Sequence, residues 1–155
     1  MSERTSENAF NKGLEAVCRK EYLEALAYFE ASMQLGRSAG MEPPMKYLSY
    51  YGLCLAMVSN RVDEAREICE TALEAEFYNP DLYLNLGRVH LRSGDRASAF
   101  DTLVRGLHLN PRHSGLVREI RRLGIRRRPI LSFLRRDNPF NRLLGRLRSR
   151  TARAA

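Results

Sequence analysis

The fold is decided by residues 79–113, which read NPDLYLNLGRVHLRSGDRASAFDTLVRGLHLNPRH. Asn79 followed by Pro80 is typical of a helix start, because Asn caps free N–H groups and Pro fits the first helical position. Apolar residues then recur at helical spacing up to the sequence SGD, residues 93–95, and recur again after it. The stretch therefore predicts two helices joined by a short turn.

The same pattern occurs three times along the chain, aligned on Gly13, Gly52 and Gly87. An Ala follows these glycines by 12, 13 and 12 residues, so the turn of the second segment should contain one extra residue. The glycine spacings are 39 and 35 residues, and the first excess falls in the loop GRSAGMEPP, residues 36–44. Repeats of this kind predict stacked helix pairs, since a single pair cannot bury its apolar face.

One more helix is expected after the repeats. Leu116, Ile120 and Leu123 are spaced as on one helix face, and Gly124 is a typical helix end. No further glycine–alanine pair follows, so this helix should cap the open apolar edge of the last repeat.

Residues 79–113 resemble the tetratricopeptide repeat family. They match its aromatic-x-x-Leu-Gly motif, its central Ala and its closing Pro, whereas residues 9–35 and 47–76 match partially. The resemblance covers roughly residues 6–111 and points to a small bacterial-type member with a basic C-terminal tail. It implies an all-α, right-handed solenoid of three helix pairs plus the capping helix. The expected domains are a solenoid at 6–124 and a tail at 125–155.

The resemblance also implies that the first helix of each pair lines a concave groove. This groove would be apolar at its N-terminal end and polar to basic at its C-terminal end. The alternative is that several of these residues pack against neighbouring helices. The residues expected to bind a partner in the groove are Phe10, Leu14, Tyr50, Leu53, Leu84, Asn85 and Arg88.

Some family members hold chaperone C-termini with a carboxylate clamp, and this chain departs from it. The clamp's Lys, Asn, Asn, Lys and Arg positions are occupied by Phe10, Leu14, Tyr50, Asp81 and Asn85. A partner helix or an apolar extended segment is the expected ligand instead.

The chain's charge is divided between body and tail. Residues 112–155 contain 14 Arg, no Lys and two acidic residues, a net charge of +12, whereas residues 1–111 carry −4. This asymmetry suggests an anionic partner. Phe140, Leu143 and Leu147 also predict a short amphipathic helix in the tail.

Several surfaces could receive the tail: its own solenoid, an acidic partner protein, an acidic membrane or RNA. A solvated tail that only aids solubility is the remaining alternative. The residues expected to contact an anionic surface are Arg127, Arg128, Arg135, Arg136, Arg142 and Arg146.

We find no catalytic or metal-binding pattern. His108 and His113 lie across the break at Asn110, and no GxSxG, HExxH or P-loop motif occurs. No enzyme activity, cofactor, metal or small-molecule substrate is expected. Without an apolar leader or membrane span, we expect a cytoplasmic protein. The leading function is a protein–protein adaptor or scaffold; the alternative is a membrane-peripheral or RNA-binding protein acting through its tail.

Overall fold

The computed structural model describes the backbone of residues 2–124 and the side chains of residues 5–124, and every regular element in this range is an α-helix. The helices are α1 (Ser2–Arg19), α2 (Tyr22–Ser38), α3 (Met45–Val58), α4 (Val62–Ala75), α5 (Pro80–Ser93), α6 (Arg96–Leu109) and α7 (Ser114–Leu123). The predicted three pairs and capping helix are confirmed. The predicted C-terminal amphipathic helix lies outside the described residues, and the domain boundary at 124 stays a prediction.

The turns inside the pairs follow the glycine–alanine spacing. Two residues separate α1 from α2 and α5 from α6, whereas three residues, 59–61, separate α3 from α4. The extra residue predicted for the second segment is therefore present. Gly94 adopts a left-handed conformation with φ +86° in the third turn, and Lys20 takes a similar φ of +65° in the first. Glycine accepts this conformation without steric cost, whereas Lys20 adopts it at some cost.

The ends of α5 and α6 are fixed by side-chain caps. The Asn79 side chain accepts a hydrogen bond from the Asp81 N–H at 3.1 Å, with Pro80 opening the helix as predicted. Asp95 caps α6 by accepting from the Ser98 N–H at 3.0 Å. Both contacts satisfy N–H groups that have no partner within the helix.

The loop after α2 is shorter than the sequence suggested, because α2 continues through Gly36 to Ser38. The chain leaves the helix only where the N–H groups of Ala39 and Met41 both donate to the Gly36 carbonyl oxygen. The connection therefore spans residues 39–44 rather than 36–44.

Helices of one pair pack on each other, and each second helix packs on the first helix of the next pair. The main core lies between α3 and α7, and a smaller core of Phe10, Ala16, Ala25, Phe29 and Cys54 joins α1 and α2 to α3. The predicted cap is formed by α7, where Leu116 and Ile120 are buried.

Candidate functional site

The first helices form one continuous surface. Helix α3 packs beside α5, and α5 packs beside α7. Helix α1 joins this row through the rings of Phe10 and Tyr47, which stack with centroids 3.8 Å apart and planes 8° apart. We call the exposed side of α1, α3, α5 and α7 the first-helix face.

The α1–α3 end of this face is built from aromatic and aliphatic side chains. Phe10 is buried, and its ring meets the Tyr50 ring edge-on with centroids 5.8 Å apart. The Phe29 ring is tilted against the Tyr50 ring with the same distance between centroids. Leu14 and Val17 are half-buried and pack on this cluster. Burial raises the pKa of Tyr50, so its phenol stays neutral. This end therefore presents apolar surface with hydroxyl groups.

A row of polar contacts crosses the middle of the face. Lys46 on α3 lies 3.7 Å from an Asp81 carboxylate oxygen on α5, and the other oxygen lies 3.0 Å from Nε2 of His113. Beside this row, the Asn85 amide N–H donates to the Ser49 hydroxyl at 3.1 Å. Asn85 and Ser49 are fully buried, and Oδ1 of the Asn85 side chain has no hydrogen-bond partner among residues 5–124. These contacts align α3, α5 and the start of α7.

The α5–α7 end is basic. Arg88 donates through Nε to the buried carboxylate of Glu119 at 3.0 Å, and Arg122 lies 3.7 Å from the same oxygen. Arg92 and Arg118 are exposed nearby in sequence on the same two helices. Because the buried carboxylate of Glu119 neutralises only one of these positive charges, this end keeps a net positive charge.

The structure brings the seven predicted groove residues onto the first helices but exposes them unequally. Leu14, Tyr50 and Arg88 keep part of their surface. The side chains of the other four are buried: Phe10, Leu53, Leu84 and Asn85. Leu53, at 0% exposure, offers no surface in this conformation. Their role in partner binding stays a prediction.

Sequence reasoning overlooked Tyr47, His113 and Glu119 as parts of the site. Tyr47 lies one helical turn before Tyr50, a spacing that could have revealed it. No local signal marks His113 and Glu119, because their closest ion-pair partners, Asp81 and Arg88, are on α5. The six tail arginines predicted to contact an anionic surface, Arg127, Arg128, Arg135, Arg136, Arg142 and Arg146, lie outside the described residues.

Residues 2–124 contain no helix that is long and apolar enough to cross a membrane. Among the side chains of residues 5–124, no three His, Cys, Asp or Glu group together as metal ligands would.

No protein-family model matches the sequence, and comparison with curated proteins also gives no match. Solved structures do match. The Arabidopsis OM64 TPR domain aligns with a TM-score of 0.59 and 18% identity over 80% of this chain and 98% of its own. The first TPR domain of human RPAP3 aligns with a TM-score of 0.60 and 16% identity over 78% and 91%.

The first TPR domain of Spaghetti, solved with the HSP90 peptide SRMEEVD, aligns with a TM-score of 0.57 and 16% identity over 78% of this chain and 91% of its own. At such identities the likeness concerns the fold alone. The described residues thus have the fold of a tetratricopeptide repeat domain, a helical solenoid of stacked helix pairs.

Proposed function

We propose that this chain is a non-enzymatic protein-interaction module that binds a helix or extended segment of a partner on its first-helix face. The observation that carries the proposal is the polarity gradient along this face. Leu14, Val17 and Tyr50 give partly exposed apolar surface at one end, whereas Arg88 and Arg122 make the other end basic. A segment with apolar residues followed by acidic ones would complement both ends.

The aromatic end suits a binding hot spot. Tyr50 is held by Phe10 and Phe29, so it loses little freedom on contact with a partner. Tyr and Arg side chains in such positions contribute much of the affinity at protein interfaces. We therefore expect Tyr50 to be the main apolar anchor and the arginines to set orientation.

The ligand should differ from the acidic peptide bound by the Spaghetti domain. Of the positions where the family's clamp has cations, Phe10 is buried under Tyr47, Asp81 is acidic and Asn85 is buried. Asp81 already accepts from His113 and pairs with Lys46. An added carboxylate there would be repelled, so a free acidic C-terminus is disfavoured at this point of the face.

A capture experiment tests the proposal. The full chain is used to capture proteins from native lysate, the partner is identified by mass spectrometry, and its Kd is then measured with purified components. Tyr50→Ala and Arg92→Glu should each weaken binding about tenfold or more, the range of interface hot spots. Arg37→Glu is the matched control for charge, because Arg37 and Arg92 are both exposed in the last turn of a helix.

The helical content of every variant is checked by circular dichroism. Equal affinities of wild type, Tyr50→Ala and Arg92→Glu, with their folds intact, would remove the first-helix face as the binding site. Leu53→Glu is unsuitable for this purpose, because Leu53 is fully buried and a charge there would unfold the domain.

A further inference from the structure

An open cleft of about 480 Å³ lies between the second helices α4 and α6, with α5 as its floor. The lining is apolar and tightly packed here: Leu86 and Tyr83 of α5 are each 5% exposed, and Leu73 of α4 is 8% exposed. None of these three residues contributes to the binding surface proposed on the first-helix face. The cleft is thus a separate surface of the domain.

Phe77 lines this cleft, and its exposed ring pairs with the ring of Tyr78 outside the lining. Phe77 and Tyr78 are each 65% exposed, and their rings meet edge-on with centroids 5.9 Å apart. The Tyr83 hydroxyl donates to the Phe77 carbonyl oxygen at 2.8 Å, which ties this segment to α5. This hydrogen bond fixes the backbone at Phe77 before any partner arrives, while the two rings stay exposed. Exposed aromatic pairs of this kind mark interaction surfaces.

The walls of the cleft carry negative charge. Among the described residues that line the cleft, Glu70 and Glu74 lie on the α4 side and Asp101 on the α6 side, and Arg105 is the one Lys or Arg. Arg105 lies over the Tyr83 ring, 5.6 Å from its centroid. Among the side chains of residues 5–124, no basic group lies within 4.0 Å of the carboxylates of Glu74 and Asp101.

Outside the cleft, α4 adds little to this field, because Arg61 pairs with Glu64 and Arg66 pairs with Asp63. The helix carries five acidic residues, Asp63, Glu64, Glu67, Glu70 and Glu74, and one basic residue, Arg66. A ligand with negative charge, such as nucleic acid or an acidic lipid surface, would be repelled here. A cationic ligand would be attracted. The exposed aromatic pair favours a ligand that also carries apolar side chains.

We infer that the cleft between α4 and α6 binds a basic, amphipathic segment of a partner protein. A Lys or Arg of that segment would lie between the carboxylates of Glu74 and Asp101, and an apolar side chain would pack on Phe77. This ligand has the opposite charge to the one expected at the basic end of the first-helix face. The domain would then hold two different segments at once, as a scaffold does.

The test uses the full chain and a fluorescein-labelled synthetic peptide of Leu and Arg, arranged so that the two residue types occupy opposite helix faces. Fluorescence anisotropy gives the Kd at low and physiological salt. Phe77→Ala should weaken binding about tenfold or more. Glu74→Gln should weaken it about threefold, and the effect should shrink as salt rises.

Each variant has a matched control. Glu67→Gln removes the same charge from an exposed position of the same helix, outside the cleft. Leu23→Ala removes an apolar side chain that is 72% exposed on α2. Both controls should bind like wild type. A peptide of Leu and Glu should not bind.

Two results would overturn the inference. One is the absence of binding by the Leu and Arg peptide at low salt. The other is a Kd that Glu67→Gln changes as much as Glu74→Gln, or Leu23→Ala as much as Phe77→Ala, since the attraction would then be spread over the whole surface. Neither result would bear on the proposed binding of a partner by the first-helix face, because that proposal is tested with different variants.

Discussion

The side chain of Leu103 occupies the space next to Gly87 so closely that a methyl group on Gly87 would lie 2.6 Å from its Cδ2 atom. The other pairs use the same arrangement, with Phe29 against Gly13 and Cys69 against Gly52. In each pair the facing residue follows the repeat's Ala by one helical turn. The absent side chain on the first helix therefore leaves room for a buried side chain on the second.

Gly87→Ala should destabilise the domain by about 1–3 kcal/mol, because the added methyl group forces Leu103 out of its place. The control is Gly36→Ala, where the nearest atoms to an added methyl lie at 3.7 and 3.8 Å. There the better helix propensity of Ala should leave stability equal or raise it by up to about 1 kcal/mol. Thermal and denaturant unfolding measure both. Equal stability of the two variants would contradict the close packing at Gly87.

The order of the elements could be predicted from the sequence because local signals fix it. The Asn79–Pro80 start, the glycine–alanine spacing and the capping face at Leu116 and Ile120 each lie within one short segment. The sequence could not predict which of the groove residues remain exposed to solvent. Periodicity shows which side of α3 carries Leu53, but its burial depends on how closely the neighbouring helices approach.

Contacts between distant residues were hidden for a related reason. The Asp81–His113 contact joins residues on α5 and at the start of α7, and the acidic cleft requires α4 and α6 to lie on either side of α5. Neither follows from the spacing of residues along one helix. The extension of α2 to Ser38 was missed because GRSAG reads as a loop, although Gly36 is accommodated in the helix.

Only one of the three thiols should react in the native protein. Cys18 is exposed, whereas Cys54 and Cys69 are fully buried. Burial raises the pKa of both buried thiols to about 12, so little of the reactive thiolate exists at neutral pH. Alkylation followed by mass spectrometry should label Cys18 at least about a hundredfold faster than the other two. All three should react at similar rates in guanidinium, and fast labelling of Cys69 without denaturant would contradict this packing.

Acid should weaken the fold through His90. Burial lowers the pKa of His90 below its usual value of 6.5, although Asp95 and Glu70 oppose this effect. As the pH falls from 7 through 6.5, the unfolded chain takes up a proton before the native state does, so the free energy of unfolding decreases. The decrease ends once the pH is below the pKa of His90 in the native state.

His90→Leu should flatten the dependence of stability on pH between 7 and about 5, measured by urea unfolding. His108→Leu, at an exposed position of α6, is the control and should keep the wild-type slope. Asp95 does not contribute to the pH dependence of stability in this range. Its hydrogen bonds with Ser98 lower its pKa below 3.8, so its contribution is lost only in stronger acid. A wild-type slope in His90→Leu would show that burial of His90 has no such effect.

The contact between Arg88 and Glu119 should hold the capping helix in place. Glu119 on α7 is 5% exposed, and its carboxylate accepts from Nε of Arg88 on α5 at 3.0 Å. Arg88→Met leaves this buried charge with only the more distant Arg122, at 3.7 Å, so we expect a loss of about 3 kcal/mol. Glu119→Leu combined with Arg88→Met removes both charges and should recover much of that loss.

Hydrogen exchange localises this effect. In Arg88→Met, the amides of α7 should exchange faster than in wild type, while those of α3 and α4 keep their protection, because the lost contact joins α5 to α7 alone. The double variant should restore slow exchange in α7. If the double variant is as unstable as the sum of the two single variants, there is no coupling between these side chains, and α7 is then held by Leu116 and Ile120 without help from the ion pair.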